Sequence, residues 1–184
     1  MRAVWLAIVM AATLGGAANA QEVDHQGRAG VWEISGGIRD EGNFFRCKME
    51  RPALGGPFAL LSSYNVTTLG LEVLVVVPSA LPEGSRVIVL LGFDHGEIVI
   101  PGFFGSDHVY ADLGNDGSIE LGRRLAMLQS SQRLLITVAS PGAPLAEPPT
   151  LVDLSGSAEA FDPNGACMKA MATKARAERT KRAQ

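Results

Sequence analysis

The sequence predicts a mainly β protein: an antiparallel β-sandwich or partly open barrel with a short late helix and a C-terminal helix. Three observations lead there. Apolar stretches of about eight residues recur roughly every dozen positions. They are rich in β-branched residues and leucine, and they are separated by turn-forming pieces such as "TTLG", "SALPEGS" and "FDHG". Short strands joined by short turns favour antiparallel pairing in a sheet that closes on itself.

The chain opens on a segment unlike the rest. Arg2 precedes an apolar run from Ala3 to Leu14, followed by Gly15-Gly16 and by Ala18-Asn19-Ala20. This is the pattern of a signal peptide cleaved before Gln21. The run is short of the roughly 20 apolar residues that a membrane-crossing helix needs, and no later stretch resembles a span. The expectation is an exported protein, periplasmic or secreted, with no transmembrane segment in its mature chain. Its parts would be a signal peptide (1–20), a flexible arm (21–30), one β-rich domain (31–168) and a basic C-terminal tail (169–184).

The elements follow in order. In "VWEISGGI" (31–38), Trp32 and Ile34 fall on one side and Val31, Glu33 and Ser35 on the other, which predicts a half-buried strand. "GNFFRCKM" (42–49) follows a hairpin turn and carries Cys47; "RPALGGPF" is a loop by its proline and glycine content. Strands are expected at 59–66, 71–78, 86–93, 97–101 and 108–113. A helix should then start from a cap at Asp116 or Ser118, with Ile119, Leu121, Leu125 and Leu128 on one face. Strands at 133–140 and 150–155 flank a proline-rich loop. Near the end, Ser155 or Ser157 can cap "AEAF". Asp162 can then cap a second helix with Pro163 at its first position, or Pro163-Asn164-Gly165 can form a turn.

Charge is unevenly placed. The chain carries a net −3, yet 18 of its 19 acidic residues and only nine of its 16 basic ones lie within 21–168. The closing segment gathers Lys169, Lys174, Arg176, Arg179, Lys181 and Arg182 against a single acid, Glu178. Its apolar residues are mostly alanine, which makes it a poor membrane-inserting helix. It reads as a solvated terminus or as an electrostatic contact to an anionic envelope partner. An acidic body behind an export signal argues against nucleic acid.

Cys47 and Cys167 are the only cysteines, and an oxidising compartment favours a disulfide between them. Free thiols are the alternative. A zinc site would need both cysteines and two of His25, His95 and His108, with no ligand spacing to support it. No cofactor is expected.

Trp32, Cys47, the segment 125–138 and "DLSGSAEAF" (153–161) together carry a resemblance to the invasion-associated locus B family of Gram-negative periplasmic proteins. Ser157 departs from the family's aromatic at the strand-to-helix step, and the close second cysteine common in the family is absent. The resemblance implies a β-sandwich-like fold, a periplasmic or outer-surface setting and no catalytic residues.

Catalytic signatures are otherwise missing: there is no G-x-S-x-G, S-x-x-K or H-E-x-x-H. "DLGNDGSIE" lacks calcium-loop ligands, since Gly114 and Arg123 occupy two of the required places. Asp94, His95 and Glu97 in one segment and Asp107, His108 and Asp112 in another could form a metal or acid–base cluster if adjacent strands joined them. "DHG" is equally ordinary hairpin-turn material. Two functions follow: a non-catalytic exported protein that binds or supports a partner in envelope assembly or host contact, and, as the alternative, a periplasmic hydrolase or metal-dependent enzyme using the His95/His108 region.

Overall fold

A computed structural model of the chain describes residues 23–39, 43–51, 58–79, 81–105, 108–115, 118–140 and 148–184. The signal peptide and its cleavage site lie outside these residues. Among the described residues there are ten strands: β1 (Val23–Ala29), β2 (Trp32–Arg39), β3 (Phe44–Arg51), β4 (Phe58–Asn65), β5 (Leu71–Pro78), β6 (Arg86–Phe93), β7 (Gly96–Gly105), β8 (His108–Asn115), β9 (Arg133–Ala139) and β10 (Thr150–Asp153). Helix α1 (Ile119–Ser130) lies between β8 and β9, and α2 (Ser157–Arg182) follows β10.

All ten strands pair antiparallel in one sheet, ordered β1-β2-β3-β4-β5-β8-β7-β6-β9-β10, which curls into a half-barrel. The expected partly open barrel with two helices is therefore the architecture. The first five strands form a simple meander. β6, β7 and β8 form a second one, laid down so that β8 joins β5 and β6 faces β9. Alternation sends one face of each strand inward: Trp32 and Ile34 on β2, Cys47 and Met49 on β3, Val73 and Val75 on β5 are all buried.

Two local departures shape the sheet. At Val73/Leu74 the register with β8 slips, so Val73 pairs Gly114 while Leu74 pairs Asp112. Gly114 takes φ +126°, and Leu121 of α1 packs where a side chain would stand. In the turn after β4, the Asn65 side chain accepts from the Thr67 and Thr68 N–H groups, an Asx turn that holds Leu69 at φ 56°.

Two expectations need correction. The arm over 21–30 contains β1, an edge strand whose backbone pairs with β2 from Val23 to Ala29. Its polar side chains hide it from any apolar pattern. The C-terminal region is one helix, neither restarted at Asp162 nor broken by a turn at Pro163. Ser157, Ala160, Asn164, Cys167, Met171 and Ala175 form a buried stripe at helical spacing, and the helix packs across β1 to β4. That packing outweighs the lost hydrogen bond to the Glu159 carbonyl, which Pro163 cannot supply. The boundary expected at residue 168 thus falls within α2.

Candidate functional site

Helix α2 starts at Gly156, whose φ of 77° turns the chain out of β10. Its entry is tied on two sides. Trp32 Nε1 donates to the Ser155 carbonyl at 2.9 Å, and Ser157 Oγ donates to the Leu128 carbonyl of α1 at 3.2 Å. Ser157 therefore serves α1 and leaves the capping role to Gly156. Ser155 Oγ instead donates to Asp153 at 2.6 Å.

The disulfide holds the middle of the helix. Cys47 of β3 and Cys167 of α2 are bonded, with Cα atoms 6.1 Å apart and a separation of 120 residues. Both are buried, at 1% and 0% exposure, so neither is an accessible redox group or a metal ligand. The zinc reading that needed these cysteines is overturned.

The six basic residues continue beyond this pin. With 3.6 residues per turn, Lys169, Arg176 and Arg179 share one outward face, and Lys174 and Lys181 share a flank. The first three are exposed, as is Lys181, whereas Lys174 is half-buried. Arg182 folds back, donating to Asn43 Oδ1 at 2.9 Å and to Glu178 at 3.2 Å. Cations in the last turns also complement the helix dipole. What the sequence presents as a loose basic tail is a continuous helical face, packed on the sheet as far as the buried Met171 and Ala175.

The two histidine segments do not come together. His95 sits in the turn between β6 and β7, and His108 starts β8 opposite Gly105. They lie at opposite ends of the ten-residue β7, about 30 Å apart by strand rise. Asp94 is committed elsewhere: its Oδ2 accepts from the Gln132 and Arg133 N–H groups at 2.6 and 3.2 Å, clamping the β6–β7 turn onto the start of β9. The Gln132 N–H bond, with help from Arg133, holds the Asp94 pKa below its ordinary value. Asp112 Oδ1 accepts from Gly114 N–H at 2.7 Å within the bulge. Asp107 and the His25 side chain lie outside the described residues. Among the described residues, no three His, Cys, Asp or Glu side chains gather as a metal site.

Compared with protein-family models, curated proteins and solved structures, the chain matches none. The site is therefore read from this chain's own residues. Among the described residues, no helix is long and apolar enough to cross a membrane. One grouping escapes a linear reading. Arg46 and Lys48 on β3 and His108 on β8 line a single outer hollow of the sheet. Some 60 positions separate them, and only the pairing through β4 and β5 makes them neighbours. The one signal available was alternation, since all three stand at outward positions of their strands.

Proposed function

We propose that this is a non-catalytic exported protein of the periplasm or cell envelope that binds an anionic partner through the basic face of α2. The observation that carries the reading is the display of Lys169, Arg176 and Arg179 on one continuous helix pinned to the sheet by Cys47–Cys167. Fixed cations opposite an otherwise acidic body orient an approaching anion and lose little conformational freedom on binding. The disulfide supports an oxidising compartment. The resemblance to the invasion-associated locus B family carried by Trp32, Cys47, 125–138 and 153–161 supports the same setting. The separation of His95 from His108 across the length of β7 favours this reading over one built on a joint histidine cluster.

The test is co-sedimentation of the purified protein with isolated envelope membranes at rising salt. Association should fall steeply with ionic strength and vanish when Lys169, Arg176 and Arg179 are all changed to glutamate. Association that is indifferent to both salt and charge reversal would refute the reading. Crosslinking in the periplasm then identifies the partner captured by α2.

A further inference from the structure

The basic face of α2 has the form of a line. Lys169, Arg176 and Arg179 are exposed on one side of the helix. From the first to the last the helix rises about 15 Å. One phosphate group or small anion cannot meet all three, so the face suits an extended anionic ligand.

The side chains between the cations are small. Ala166, Thr173, Ala177 and Thr180 are exposed beside them, whereas Phe161 and Met168, the large apolar residues on the flank, pack against the core. Protein partners are gripped mainly through large anchors seated in pockets, and a membrane-inserting helix needs a broad apolar face. The exposed side of α2 offers neither. Charge alone holds a basic segment against anionic lipid headgroups, and each Lys or Arg near the surface adds about fivefold in affinity.

The acids around the face favour a tilted approach. Glu159 and Asp162 are exposed on the first turns of α2, and Lys169 stands about 10 Å beyond Asp162, a Debye length in about 0.1 M salt. Glu178 is taken up by Arg182 and Lys181 at 3.2 and 4.0 Å. Arg182 also reaches Asn43, so the β2–β3 turn adjoins the end of the helix. Residues 39–43 and 174–184 together hold six bases against three acids. The acidic body is repelled by a negative surface, which leaves the C-terminal end of α2 as the part that approaches one.

We propose that the partner of this face is the anionic headgroup layer of a lipid bilayer, on which the protein adsorbs reversibly with the C-terminal end of α2 leading. The proposal rests on the reading of α2 as an anion-binding face and names the partner of that same site.

The experiment co-sediments the protein, purified after export with its disulfide intact, with vesicles of phosphatidylethanolamine and phosphatidylglycerol or of phosphatidylcholine alone. Binding is expected only to the phosphatidylglycerol vesicles and should fall as salt rises. Arg176→Gln should weaken it by about fivefold and Arg176→Glu by more. Arg86→Glu, an equal charge change at an exposed position of β6, should leave it unchanged. Envelope membranes stripped of protein by protease should still bind. Equal binding to phosphatidylcholine, or an equal loss with Arg86→Glu, overturns the proposal. So does charge-dependent binding to intact envelopes that protease abolishes and phosphatidylglycerol vesicles do not reproduce. That result assigns the face to an acidic protein and leaves the anionic-partner reading standing, whereas indifference to salt and charge on every membrane removes both.

Discussion

Arg51, at the end of β3, and Asp153, at the end of β10, form an ion pair at 2.8 Å although their strands stand seven places apart in the sheet. The contact draws one end of the half-barrel together, beside the Trp32 bond to Ser155. Asp153 also accepts from the Ser155 hydroxyl and from the Ser155 N–H at 2.9 Å. These bonds, with Arg51, lower its pKa from 3.8 to about 2. A depressed carboxylate pKa stabilises the fold above the ordinary carboxylate range, and the gain is lost as pH falls through the folded value. Asp153→Asn should therefore lower the melting temperature at pH 5–7. The difference from wild type should shrink between about pH 4 and pH 2 and then close. A gap that stays constant down to pH 2 would count against the assignment.

Removal of the clasp should be costly. In the chain-entropy view, a closed loop of this length restrains the unfolded chain by about 4–5 kcal/mol, less any native strain. Urea unfolding of Cys47→Ser/Cys167→Ser, or of wild type under reductant, should show a marked loss of stability. Intact protein without reductant should yield no alkylated cysteine.

The far half of α2 belongs to the core. Met171 is fully buried, so Met171→Ala should destabilise by about 2–5 kcal/mol in urea unfolding. A solvated tail would tolerate the change. Truncation after residue 168 removes Met171 and Ala175 together and should lower the melting temperature further.

Gly102 is fixed by close approach. A Cβ there would lie 2.9 Å from the Tyr110 carbonyl oxygen and 3.1 Å from a Val87 methyl, and neither the backbone nor the packed valine has room to move. Gly102→Ala should cost about 1–3 kcal/mol in chemical denaturation. Gly122→Ala, which meets open space on an α1 turn, should be neutral or stabilising.

Much of the sheet is legible because its inward faces are apolar. "LEVLVVVP" and "RVIVLLGF" coincide with β5 and β6, and Ser118 caps α1 through its bond from Leu121 N–H at 3.3 Å. β1 is not legible, since "VDHQGRA" owes its place to main-chain pairing along an edge. α2 is obscured by Asp162-Pro163, because local propensity there opposes a helix that tertiary packing enforces. Among candidate residues, the cysteines were readable from compartment chemistry. "DHG" is legible as the turn between β6 and β7, whereas the distance between His95 and His108 is not, because it depends on strand length: β7 runs ten residues.

The span between Cys47 and Cys167 also sets an order of events during biogenesis. Cys47 and the first five strands are made long before α2 exists. At 5–20 residues per second, synthesis of the intervening chain takes roughly 6–24 s. For that interval Cys47 has no partner within the chain. Closure of the disulfide is thus a late event that marks the arrival of α2.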